Sequence, residues 1–124
     1  MTQRILVVDD DPSNRVTLER LLKREGYAVT PADSGRAGMQ ALREIGPDLV
    51  LTDLKMPGMT GLDLLKAVRA VDPDVEVVVM TAYGTVETAV EAMKEGAYDF
   101  VAKPIKRIEL VTTVRKALEK RSLQ

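Results

Sequence analysis

Apolar residues along this chain recur with two periods that take turns. Unbroken runs such as Ile5-Leu6-Val7-Val8, Leu49-Val50-Leu51 and Val77-Val78-Val79-Met80 have the pattern of strands covered on both faces. Between them, Leu18-Leu21-Leu22, then Ala37-Ala41-Leu42-Ile45, then Leu62-Leu65-Val68 with Arg69, follow the helical period. The pattern predicts strands over 4–8, 27–30, 48–52, 75–80 and 98–102, each followed by a helix. Helix starts are marked by Asp11-Pro12, Ser34 and Thr60-Gly61, and helix ends by Gly26, Gly46-Pro47, Asp72-Pro73 and Gly96. The fourth helix is expected over about 85–95 with Val86, Ala89, Val90 and Met93 turned inward. The fifth starts near Lys106 and carries Leu110, Val111, Val114, Ala117 and Leu118.

Strict alternation of strand and helix with short connections implies an α/β fold, a parallel sheet with helices on both faces. Strand order is not written in periodicity. The acidic ends of the first and third strands suit a shared edge, which favours the flavodoxin-like order 2-1-3-4-5 and its switch point between strands one and three. At 124 residues this reads as one domain, with neither a linker nor a repeat.

Composition narrows the chemistry more than the fold. Eighteen Lys and Arg against nineteen Asp and Glu leave a net charge of −1, with no basic arm for nucleic acid. No apolar run approaches the ~20 residues of a membrane span and no signal-peptide pattern opens the chain, so a cytoplasmic protein is expected. There is no Cys and no His. Thiolate chemistry, the commonest general base and the commonest transition-metal ligand are therefore absent, and hard oxygen donors favour Mg²⁺, Mn²⁺ or Ca²⁺ over Zn²⁺.

The polar residues that remain gather at predicted strand ends. Asp9, Asp10 and Asp11 follow the first strand, Asp53 the third and Thr81 the fourth, while Lys103 follows the fifth and precedes Pro104, across a peptide bond for which cis is an option. Asp11 is explained as an N-cap, whereas Asp53 stands at an independent strand end. Asp9, Asp10 and Asp53 brought close together repel one another, and a divalent cation relieves that conflict. With a hydroxyl and an ammonium beside them, the set suits phosphoryl transfer onto Asp53.

VVDDD, TDLKMPGMTG, MTAYG and FVAKP, in this order across essentially the whole chain, resemble the motifs of the receiver domain of two-component response regulators. The resemblance implies a receiver domain over 1–124, a CheY-like fold, and Asp53 as phosphoacceptor. It implies Mg²⁺, or Mn²⁺, held by Asp10, Asp53 and the backbone carbonyl of Lys55, with Asp9 partly through water. Thr81 and Lys103 would contact the phosphoryl group. Phe100 would occupy the aromatic switch position and move inward as Thr81 shifts. Lys55 and Tyr83 would tune the lifetime of the phosphorylated state, and the bulk of Tyr83 suggests a long one. A sensor histidine kinase is the implied donor, and a phosphorylation-driven homodimer and an effector domain beyond residues 117–124 are implied partners. The signalling domain is not expected to be an enzyme beyond its own phosphorylation and dephosphorylation. The stretch over 80–105 further resembles receivers of the NtrC type, which precede a sigma-54-activating ATPase.

Three rivals are weaker. A flavodoxin-like cofactor module needs a phosphate-cradling loop after strand one, where Asp9-Asp10-Asp11-Pro12 would repel it. A haloacid-dehalogenase-type phosphatase needs an acid two residues after its nucleophile, and residue 55 is Lys. A receiver-fold interaction module that works without phosphorylation typically lacks one of the site residues, and none is missing here.

Overall fold

The computed structural model describes residues 2–82 and 86–122. Strands β1 (Arg4–Val8), β2 (Ala28–Ala32), β3 (Leu49–Asp53), β4 (Glu76–Thr81) and β5 (Asp99–Ala102) alternate with helices α1 (Pro12–Arg24), α2 (Gly35–Ile45), α3 (Gly61–Val71), α4 (Val86–Lys94) and α5 (Arg107–Ser122). All strand pairings are parallel, in the order β2-β1-β3-β4-β5. The sequence reading anticipated this order.

The period of two in each strand sorts side chains onto two cores. Leu6, Val8, Val50, Val77 and Val79 pack against Leu42, Leu64, Leu65, Val68 and Ala92, so α2, α3 and α4 cover one face. Ile5, Val7, Leu49, Leu51, Val78 and Met80 pack against Leu18, Leu22, Leu110, Val114 and Leu118, so α1 and α5 cover the other. Strands β3 and β4 are buried throughout, as central strands of such a sheet must be.

Helix starts follow the capping chemistry. Asp11, Ser34 and Thr60 each accept a backbone N–H of the first turn, and Thr60 with Asp63 forms a reciprocal capping box. Several details depart from the periodicity. Val90 and Met93 of α4 face solvent, at 48% and 40% exposure, because Ala89 and Ala92 supply the buried stripe. On α3 Leu64 is fully buried while Leu62 is only partly so, and Arg69 turns to the connection after the helix, donating to the carbonyls of Pro73 and Val75. Strand β2 runs on through Pro31, which an edge position tolerates. The expected start of helix four at 85 and the Val86 side chain lie outside what is described.

The third helix is set hard against the strand that precedes it. The Gly61 N–H donates to the Leu54 carbonyl at 3.0 Å. A Cβ there would strike the Asp53 carbonyl oxygen and lie 2.6 Å from the Leu54 Cα. Only glycine allows this approach, which places the start of α3 directly beside Asp53.

Candidate functional site

The carboxyl edge of the sheet carries the polar cluster. Asp9 follows β1, Asp53 ends β3, Thr81 ends β4 and Lys103 follows β5. Register sets β1 beside β3, β3 beside β4 and β4 beside β5, with Thr81 opposite Ala102, so four independent strand ends meet at one edge of the sheet.

Asp9, Asp10 and Asp53 each present a carboxylate oxygen within 4.8 Å of the others. Asp9 is fully buried and Asp53 is 7% exposed, whereas Asp10 is open to solvent. Lys103 donates to Asp53 Oδ2 at 2.8 Å and stands 3.7 Å from Asp9 Oδ2. The other oxygen of Asp53 accepts the Lys55 N–H at 3.2 Å. Asp9 Oδ1 accepts the Asp11 N–H at 2.9 Å, but its buried Oδ2 has no hydrogen-bond partner. That oxygen meets only the Lys103 ammonium, at 3.7 Å, and three carboxylates this close to one ammonium fit a hard divalent cation.

Electrostatics reflect the crowding. Burial pushes the Asp9 carboxyl above its ordinary range, and the charges of Asp53 and Asp10 add to that, against opposing help from the Asp11 N–H and Lys103. Burial alone would lower Lys103. Its hydrogen bond to Asp53 and the three carboxylate charges outweigh that and hold the ammonium above its usual range. Lys103 is thus a fixed positive charge, and the Lys103–Pro104 bond is cis.

The other anticipated residues fall as follows. Thr81 is buried at the end of β4, its Oγ1 donating to the Ala82 carbonyl at 3.3 Å. Phe100 lies on edge strand β5 opposite Val79, 43% exposed and away from the carboxylates. Lys55 is exposed next to the acceptor turn, and Tyr83 lies outside the described residues. One contact was not anticipated: Arg15 of α1 donates to the Asp9 backbone carbonyl at 2.9 Å. Its place one helical turn beyond the Asp11 cap was the available signal.

A five-stranded parallel sheet of order 2-1-3-4-5 with three carboxylates and an ammonium at its carboxyl edge is the arrangement that the receiver resemblance implied. The sequence matches the response regulator receiver domain family over residues 5–115, and the chain belongs to that family. It is 48% identical over 114 residues to the transcriptional regulatory protein ZraR of Escherichia coli strain K12, covering 92% of this chain and 26% of ZraR. A solved response regulator receiver domain protein from Clostridium thermocellum superposes with a TM-score of 0.94 at 32% identity, covering 98% of each chain. NtrX from Brucella abortus superposes with a TM-score of 0.95 at 35% identity, covering 99% of this chain and 28% of NtrX. The chain therefore spans about a quarter of the length of curated relatives such as ZraR (26%).

Proposed function

We propose that this receiver accepts a phosphoryl group on Asp53 from a sensor histidine kinase and thereby switches an output, most directly transcription. The observation that carries the reading is the Asp53 carboxylate itself, sheltered at a strand end, hydrogen-bonded to Lys103 at 2.8 Å and grouped with Asp9 and Asp10.

A carboxylate oxygen of Asp53 attacks phosphorus, forming an acyl phosphate as the P–N bond of a phosphohistidine breaks. With a small acyl phosphate as donor, the P–O bond breaks and a carboxylate leaves. Asp9, Asp10, Asp53 and the Lys55 carbonyl would hold the metal. When bound, magnesium or manganese would supply positive charge to offset that of the carboxylates and of the transferring oxygens. Lys103 exchanges its bond to Asp53 for one to a phosphoryl oxygen, and Thr81 donates to another. Lys55 and Tyr83, at the positions the family uses for this, set how readily water reaches the product.

Switching follows from charge. Asp53 gains negative charge, Thr81 shifts toward it, and Phe100 moves into the space left, altering the surface formed by α4, β5 and α5. Exposed Val90, Met93, Phe100 and Ile108 on those elements support that surface as the homodimer or effector contact. The relatives' length and the transcriptional role in ZraR's name support an NtrC-type arrangement, with residues 117–124 leading toward an effector domain that contacts DNA in this domain's stead. Among the described residues no helix is long and apolar enough to cross a membrane, which is consistent with work in the cytoplasm.

Incubation with acetyl phosphate, with and without Mg²⁺, on the parent chain and Asp53→Asn tests this by intact mass and size-exclusion chromatography. One added phosphoryl group that requires Mg²⁺ and Asp53, with earlier elution, is expected. Metal binding without any transfer would make this a phosphorylation-independent interaction module.

A further inference from the structure

We infer that Arg15 is a positioning residue for the metal-binding carboxylates, acting through the backbone of Asp9 rather than through its charge. The inference rests on the proposed function, because it concerns the same acidic edge.

Asp9 and Asp10 sit on the turn between β1 and α1, and that turn has few means of holding its shape. The Asp9 N–H donates to the Ala32 carbonyl at 3.1 Å and its side chain accepts the Asp11 N–H at 2.9 Å. The Asp9 carbonyl begins the peptide that leads into Asp10, and it accepts the Arg15 guanidinium at 2.9 Å. Rotation of that peptide would swing the exposed Asp10 carboxylate away from the buried carboxylates of Asp9 and Asp53. Arg15 is half-buried on the first turns of α1, and that helix is anchored by the Asp11 cap and by Leu18 and Leu22 in the core. The guanidinium thus ties the backbone that carries the exposed member of the carboxylate triad to the core-anchored helix. Outer partners of this kind ordinarily orient ligands rather than bind the ion.

Two roles for Arg15 predict opposite signs. A positive charge near a cation site repels the cation, so a purely electrostatic Arg15 would weaken metal binding and its removal would tighten it. A positioning Arg15 holds the ligands together, so its removal would loosen binding.

The test is Mg²⁺ titration by calorimetry on the parent chain, Arg15→Met and Arg15→Lys, with the Mg²⁺ dependence of phosphorylation by acetyl phosphate measured alongside. Met keeps most of the stem and loses both donor and charge, while Lys keeps both. The expected result is a dissociation constant roughly tenfold higher in Arg15→Met, a loss typical of outer-shell partners, with substantial recovery in Arg15→Lys. The phosphorylation rate of Arg15→Met should fall at low Mg²⁺ and return to the parent value at saturation. Equal or tighter Mg²⁺ binding by Arg15→Met overturns the inference. So does a rate deficit that persists at saturating Mg²⁺ with unchanged affinity. If the parent chain binds Mg²⁺ but takes no phosphoryl group, the proposed function fails while the affinity comparison still decides the role of Arg15.

Discussion

Substituting Gly61 with alanine tests whether the close approach of α3 to β3 holds Asp53 in place. The added Cβ would collide with the Asp53 carbonyl oxygen and meet the Leu54 Cα at 2.6 Å. Neither obstacle is a flexible side-chain tip; both are backbone atoms of a segment packed between two layers of helix. Overpacking of this kind costs about 3 kcal/mol, the upper part of the usual range, because no rotamer change relieves it. Alanine in place of glycine returns less than about 1 kcal/mol of helix propensity, leaving a net loss of about 2 kcal/mol. For a domain of this size that lowers the melting temperature by roughly 8 °C. Relief requires either α3 to move outward or the Asp53 peptide to shift, and the second route displaces the carboxylate from Lys103. A displacement near 1 Å would slow phosphorylation by acetyl phosphate by as much as ~100-fold. Gly46→Ala is the matched control: its φ of +57° is left-handed but nothing lies within 4 Å of its Cβ. It should cost about 1 kcal/mol of backbone strain and leave the reaction rate unchanged. Calorimetric melting and mass-spectrometric rates on the two variants read both effects. A Gly61→Ala chain that melts within about 2 °C of the parent and reacts at the parent rate would refute the reasoning.

Further outcomes follow from the charged residues. Asp9→Asn should raise the melting temperature of the metal-free chain at neutral pH while abolishing Mg²⁺ binding, because a fully buried carboxylate crowded by two others is replaced by a neutral amide. The folded chain holds the Asp9 proton more tightly than the unfolded chain does. In chelator, its contribution to stability therefore falls as pH rises from the ordinary carboxylate range through the raised folded value; denaturation across that window should lose more stability in the parent than in Asp9→Asn. Lys103 is linked to pH in the same sense but on the alkaline side, its raised folded value giving stability that is present below the ordinary ammonium range and lost as pH climbs through the folded value. Lys103→Met should destabilise the metal-free chain by about 2 kcal/mol, bind Mg²⁺ more tightly and react more slowly, as urea melts, calorimetry and mass spectrometry would show. At the opposite pole of the sheet, buried Glu76 lies 3.8 Å from Arg69 and 3.5 Å from Lys120. Arg69→Ala should cost about 2 kcal/mol in urea denaturation, since it removes the donor to two carbonyls and the less exposed of the two cations beside a buried carboxylate, whereas exposed Lys120→Ala should cost less than about 1 kcal/mol.

Much of this architecture was legible because each strand and cap carries its own chemistry. Asp11, Ser34 and Thr60 mark helix starts through side chains that have one efficient use there, and each is a cap in the structure. Asp53 was legible as a candidate because an acid that ends a buried apolar run needs a reason. Val90 and Met93 misled because hydrophobicity signals burial on average, whereas a receiver leaves apolar side chains outward on α4 and fills the interior with Ala89 and Ala92. Leu62 and Leu64 are both compatible with a helical stripe, and the packing angle of α3 against the sheet, which periodicity does not encode, chose Leu64. Arg15 escaped notice because its partner is a backbone carbonyl, a group that every residue carries and no sequence pattern marks.

The account stands on Asp53 as the phosphoryl acceptor. Acyl phosphates are reduced by borohydride to the corresponding alcohol, which turns the modified aspartate into homoserine and records its position. Treatment with acetyl phosphate and Mg²⁺, borohydride reduction and peptide mapping should place homoserine at position 53 alone. Homoserine at position 9 or 10, or none at any aspartate after Mg²⁺ binding has been verified, would contradict it.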